Sequence, residues 1–237
     1  MKRTLTCWSV VTWIATAWYA TVSADEGVDK LLDKVAKAYG GTDLLVRTQA
    51  LKQTGTTYST MRGASGPVLR AYQHPDRLRI EIHYPGRQPE SRILLGPHAW
   101  KQRVPVGGPF HGAMVLQAAR MGLPYNLLEA RKRVHDRGKV TAENGKTLRV
   151  VELPLDQGLH VIVEIDPSSG RILKSRGALS TGGGAMEFQT TYEDFRRHEG
   201  RLYAAKEGHY AMGQRTGHTQ IERVEFSDQW PESLFQP

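Results

Sequence analysis

Between Pro75 and Gln102 the chain reads PDRLRIEIHYPGRQPESRILLGPHAWKQ, and this stretch limits the fold more than any other. Leu78, Ile80, Ile82 and Tyr84 alternate strictly with Arg77, Arg79, Glu81 and His83. A period of two places each set on its own face of a strand. Pro85-Gly86 supplies a turn, residues 93–95 a second strand, and Gly96-Pro97 a break before Ala99-Trp100-Lys101. A sheet with Arg, Glu and His on one face needs apolar material against the other. That material is another sheet, the chain's own helices, or a ligand.

The pattern continues in both directions. From Leu51 onward Thr, Tyr, Val and Ile dominate, the composition of strands. About eleven segments qualify, from residues 52–61 to residues 216–226. Their connections are short and carry Gly, Pro, Asn or Asp, as at Asn144-Gly145 and Glu199-Gly200. Short connections join antiparallel neighbours, so a meander is expected and βαβ units are not.

Helical periodicity is confined to two places. Val28, Leu31, Leu32, Val35 and Tyr39 share one face of a helix, with Asp29, Lys30, Asp33, Lys34 and Lys37 opposite. Asp25 is placed to cap it, Gly40-Gly41 to end it, and Thr42 to cap a short second helix over residues 43–48. Residues 104–130 are the second place. Between Ala113 and Leu123 only Gln117 and Arg120 are polar, three apart and so on one narrow stripe. A helix apolar nearly all round is buried on most sides or covers something greasy. Pro124 breaks it, and residues 125–130 form a further helical turn. Residues 111–130 are therefore expected to be a plug or lid.

The N-terminus reads as a targeting segment. Lys2 and Arg3 precede a charge-free, mostly apolar run, and Val22-Ser23-Ala24 fits a cleavage site. Cleavage after Ala24 would export residues 25–237 as one domain. The alternative is an uncleaved anchor, because the charge-free run over residues 4–24 is as long as the ~20 residues a span requires. Cys7 is the single cysteine, so the exported part has no thiol for disulfides, catalysis or Cys-ligated zinc. Of the formal net charge of +8, Lys2 and Arg3 carry two. The remaining excess suits anionic membrane surfaces and is also ordinary for a soluble protein. No basic run is interleaved with aromatics, so no nucleic-acid partner is expected.

Motifs for chemistry are sparse. The nine histidines show no H-x-H or H-E-x-x-H spacing. His209 and His218 lie nearly symmetrically about Gly213, a weak two-ligand arrangement without a third partner. There is no G-x-S-x-G, and the acids are scattered over wet strand faces. Gly182-Gly183-Gly184 opens onto a strand and lacks the helix that phosphate cradling requires. No catalytic residue, metal or cofactor is expected.

Several segments together resemble a known family. They are Tyr39-Gly40-Gly41 after the first helix, Leu51-Lys52-Gln53-Thr54-Gly55, Pro75-Asp76-Arg77-Leu78-Arg79, Gly96 with Trp100, residues 166–170, Tyr192-x-Asp194-Phe195, and the end from Pro231 to Pro237. In these the chain resembles the LolA superfamily, periplasmic carriers of lipoproteins to the outer membrane, with the related sigma-regulator RseB. Leu95-Gly96-Pro97 departs from the family's Asp-Gly turn. The resemblance implies a mainly β fold, a half-open antiparallel barrel with helices packed in its concave face, and a cargo of acyl chains or a hydrophobic partner.

The expected cavity lining has three parts. The strand faces contribute Leu78, Ile80, Ile82, Ile93, Leu95, Val161, Val163, Phe188 and Tyr192. Trp100 stands beside them, and the lid adds Met114, Leu116, Met121 and Leu123. The expected function is that of a periplasmic, monomeric, non-catalytic carrier of lipid or lipoprotein acyl chains, served by membrane-associated donor and acceptor proteins. A sensor or assembly module docking a protein partner is the alternative, and a hydrolase the third reading.

Overall fold

The computed structural model describes residues 24–182 and 184–237. The targeting segment expected over residues 1–24 thus lies outside the described residues, apart from Ala24. Helix α1 (Ala24–Ala38) buries Val28, Leu31, Leu32 and Val35 and exposes Asp33, Lys34 and Lys37. Asp25 falls within the span of this helix. The helix ends in a Schellman pair: Gly41 N–H donates to the Ala36 carbonyl at 2.8 Å, and Gly40 N–H to that of Lys37 at 3.4 Å. Gly40 has φ 114°, and a Cβ there would lie 2.9 Å from the Gly200 carbonyl oxygen, so only glycine fits. Helix α2 (Thr42–Arg47) follows, with Gly41 at its N-cap instead of Thr42.

The sheet starts with β1 (Ala50–Ser59), β2 (Ala64–Gln73), β3 (Arg77–Ile82), β4 (Glu90–Leu95), β5 (His98–Lys101) and β6 (Val104–Val106). Helices α3 (Pro109–Met121) and α4 (Tyr125–Glu129) intervene. Then come β7 (His135–Thr141), β8 (Thr147–Pro154), β9 (His160–Ile165), β10 (Ile172–Thr181), β11 (Gly184–His198), β12 (Arg201–Ala211) and β13 (Gln214–Ser227). The spatial order is β6-β5-β4-β3-β2-β1-β13-β12-β11-β10-β9-β8-β7, with every neighbouring pair antiparallel. β6 and β7 are the two free edges, so the sheet is a half-open barrel. These two strands are the additions to the eleven expected. β6 is three residues long, and β7 is almost wholly exposed, with a register shift between Asp136 and Lys139. An exposed edge has no buried face to write an alternation into the sequence. No helix among the described residues is long and apolar enough to cross a membrane.

Helix α3 lies across the concave face and separates two cores. Leu116 and Ala119 join α1, α4 and β8–β10 in one, around Val151, Leu153, Val161, Val163 and Ile165. Met114 and Ala118 join Leu51, Val68, Tyr72, Leu78, Ile80 and Leu94 in the other. A helix buried on both flanks must be apolar on both, which explains its composition. Glycine lets it approach β10 closely: a Cβ on Gly177 would lie 2.8 Å from Leu116 Cδ2, and one on Gly112 would lie 2.7 Å from Leu179 Cδ2. Asn126 of α4 ties the helices together, donating from Nδ2 to the Ala119 carbonyl (3.0 Å) and accepting from Tyr72 OH (3.2 Å).

The outer face is not simply wet. The turn Glu232–Phe235 packs on β3 and β4 and buries Phe235 completely. Arg79 Nη1 donates to the Leu234 and Gln236 carbonyls at 3.2 and 2.9 Å. Arg79 pairs with Ile93, Ile93 with Trp100, and Arg77 with Leu95, and paired residues share a face. Ile93, Leu95 and Trp100 therefore stand on the outer face, under or beside the C-terminal segment, and not in the concavity where the sequence placed them. The residue that does face inward is Leu94, opposite Leu78.

Candidate functional site

Between α3 and the centre of the sheet lies a cavity of ≈ 100 Å³. Its apolar wall includes Leu51, Met121, Leu123, Ile172, Leu202 and Phe226. Its polar wall is made by Gln53 of β1, Arg70 of β2, Gln117 and Arg120 of α3, Thr190 and Tyr192 of β11, and Arg201, Glu207 and His209 of β12. The polar stripe of α3 is thus the stripe that faces the cavity.

The charges are few and tightly placed. Arg70 Nη1 donates to Glu207 Oε2 at 2.6 Å, and the two side chains are 5% and 8% exposed. Burial pushes the Glu207 carboxyl up, but Arg70, His209 and Arg120 outweigh it and hold it below the usual range. Arg120 donates to the Phe188 carbonyl at 3.2 Å and forms no ion pair among the described residues. Its pKa is lowered by burial, against the pull of Tyr192 and Glu207. Arg201, 3% exposed, donates to the Thr48 carbonyl and hydroxyl and stacks 4.4 Å over the Phe226 ring. Burial lowers its pKa to about 10. Burial also raises Tyr192 to about 12, and its hydroxyl is 2.7 Å from that of Ser175. Among the described residues the lining therefore holds three guanidiniums and one carboxylate.

His209 is held neutral. Thr219 donates to Thr57 Oγ1 at 3.0 Å, so its own oxygen accepts from His209 Nε2–H at 2.8 Å. Burial depresses His209 to about 4, assisted by Arg70 and Arg120 and opposed by Glu207. His218 pairs with Gly208 and so faces the other side of the sheet, stacked on Tyr58. The two histidines do not meet, and no group of three or more His, Cys, Asp or Glu side chains among the described residues is placed to hold a metal ion. A pH prediction follows. The imidazole of His209 in the unfolded chain, with an ordinary pKa of 6.5, takes up a proton that the folded one refuses. Stability should fall as pH drops below 6.5, by about 1.4 kcal/mol per pH unit until about 4. Thermal unfolding of wild type and His209→Gln at pH 7.5, 6.5 and 5.5 tests this. The gap between the two curves should narrow with acid, and parallel curves would remove the assignment.

The expected lining residues divide into three groups. Met121, Leu123 and Tyr192 line the cavity. Leu78, Ile80, Met114, Leu116, Val161 and Val163 are buried in the two cores, with Ile82 and Phe188 packed against them. Ile93, Leu95 and Trp100 are on the outer face. Of the polar wall, sequence reasoning found Tyr192 and the stripe of Gln117 and Arg120 but missed the charged strand residues, although Arg70 shares parity with Val68 and Tyr72, and Glu207 with His209.

No protein-family model and no curated protein matches the sequence. Among solved structures, a LolA superfamily protein from Nitrosomonas europaea matches with a TM-score of 0.53 at 12% identity, covering 89% of this chain and 97% of the other. An outer membrane lipoprotein-sorting protein domain described from Vibrio parahaemolyticus gives 0.50 at 13% identity, covering 90% and 97%. A DUF1329 family protein from Desulfovibrio piger gives 0.51 at 7% identity, covering 88% and 97%. The chain has the LolA-like fold. Within this LolA-like half-barrel α3 packs across the concave face, and the cavity lies between it and the centre of the sheet.

Proposed function

We propose that the chain is an exported, non-catalytic carrier that holds the hydrocarbon of a lipid or lipoprotein between α3 and the concave sheet. The observation behind this reading is the cavity itself: a gap with an apolar side formed by Leu51, Met121, Leu123, Ile172, Leu202 and Phe226, roofed by one helix, in an open sheet. At ≈ 100 Å³ it is smaller than the ~300–1,000 Å³ typical of ligand sites. Cargo therefore requires α3 to move outward, and the described conformation is the closed one. The energies allow the exchange. Re-exposing Met114 and Leu116 costs roughly 3–6 kcal/mol, whereas about ten buried methylenes return roughly 8 kcal/mol. The core residues Leu78, Ile80, Ile82, Val161, Val163 and Phe188 would then meet the acyl chain in place of α3.

The test is native mass spectrometry and organic extraction of the full chain, expressed with its own N-terminus and purified without detergent. Acyl-containing species are expected in the wild-type sample. Met121→Glu, on the cavity side of α3, is expected to lose most of that material while keeping the wild-type circular dichroism spectrum. Equal lipid content in the two proteins would show that α3 does not form the binding wall. A clean apo mass together with one stoichiometric protein would overturn the carrier reading in favour of a docking module.

A further inference from the structure

The polar wall of the cavity demands an explanation that a carrier of plain hydrocarbon does not supply. Arg70 is 5% exposed, and its Nη1 is bound to Glu207, yet its Nε and Nη2 are buried without a hydrogen-bond partner. Those two N–H groups form one edge of the guanidinium plane, the fork that matches a carboxylate or phosphate in bidentate fashion. Arg120 stands on the opposing wall, on α3, with Glu207 as the one acidic group acting on it. Gln53 lies directly across from Arg70 in the β1–β2 ladder, and its Oε1 is also buried without a partner. Rotating that amide would present N–H donors to the same space. Burying guanidinium without full pairing is unfavourable unless a compensating anion arrives.

From this geometry we infer that the cavity recognises an anionic group, phosphate or carboxylate, clamped between Arg70 on the sheet and Arg120 on α3. The inference rests on the carrier reading and narrows it: the cargo is an amphiphile whose acidic head enters the half-barrel with its chain. Arg201 is held through Nη1 by Thr48 and stacked on Phe226, and adds a third positive charge to the same lining. Because the clamp spans wall and helix, a bound anion would also draw α3 back onto the sheet. The binding of head and the closing of the helix then become one event.

Binding of three probes to the full chain, measured by calorimetry, tests the idea: hexadecyl phosphate, hexadecanol and inorganic phosphate. Hexadecyl phosphate is expected to bind roughly ten- to a hundredfold more tightly than hexadecanol, the effect of charge-assisted hydrogen bonds in a dry site. Arg120→Gln should remove most of that preference, weakening hexadecyl phosphate roughly tenfold more than it weakens hexadecanol. Arg120→Lys, which keeps the charge and loses the fork, should fall between and guards against a merely misfolded Gln variant. Equal affinity for the phosphate and the alcohol would overturn the anion clamp while leaving the carrier reading standing. Binding of inorganic phosphate without either amphiphile would keep the clamp, assign it to a small free anion, and overturn the carrier. Failure of all three would sink both.

Discussion

Glu207→Gln is expected to lower the unfolding free energy by about 3–5 kcal/mol, because it removes one partner of a buried ion pair and leaves the other uncompensated. Few single changes in this chain should cost more. Glu207 is the only carboxylate lining the cavity among the described residues, and it faces Arg70 at 2.6 Å with Arg120 nearby. Urea denaturation at pH 7 measures the loss. The double variant Arg70→Met with Glu207→Leu replaces both charges by apolar groups and should recover most of it. A loss below about 1 kcal/mol for Glu207→Gln would show that water reaches the pair and screens it. The pH sign is fixed by the direction of the shift. The folded carboxyl is held below its ordinary 4.5, so its contribution is full above that value. It disappears as pH falls through the lower, folded value. In Glu207→Gln that acid-labile component should be missing.

Gly177→Val should loosen α3. The first added carbon alone would sit 2.8 Å from Leu116 Cδ2, and Leu116 is fully buried between β8–β10 and the helices. Valine suits a strand, but that preference spans only about 1 kcal/mol. Overpacking a closed core costs about 3 kcal/mol at its upper range. The expected result is therefore net destabilisation, faster amide exchange along 109–121, and stronger binding of an apolar dye. Unchanged exchange in α3 would mean that its hold on the sheet lies with the β3–β5 side. The amide exchange readout matters because general destabilisation would quicken every strand alike.

Much of the fold was legible because it was written in alternation. Leu78, Ile80 and Ile82 declare their face unambiguously, since charged residues separate them. Ile93, Leu94 and Leu95 do not: three apolar residues in a row fit either parity, and a slip of one exchanges the faces. The deciding fact was distant, a C-terminal turn that buries Phe235 against the outer face and lets Ile93 be buried there. The cavity was legible in outline through α3, whose Gln117 and Arg120 interrupt an otherwise apolar run. Its chemistry was not, because Arg70 lies on β2 and Glu207 and His209 on β12, far apart in sequence until the β1–β13 pairing brings their strands together. β7 escaped detection for the opposite reason, having almost nothing to bury.

That central pairing also constrains how the molecule is assembled. β1–β6 and β7–β13 are two local meanders, each able to form from neighbours in sequence. Within the sheet they are paired through β1 and β13, where Thr57 and Thr219 bond across a separation of 162 residues. Closing so long a loop is entropically slow and offers no reward until the strands meet. Arg70 belongs to the first meander and Glu207 to the second, with α3 threaded between them. The cavity cannot exist in either half alone, so its completion reports that the whole chain has found its native order.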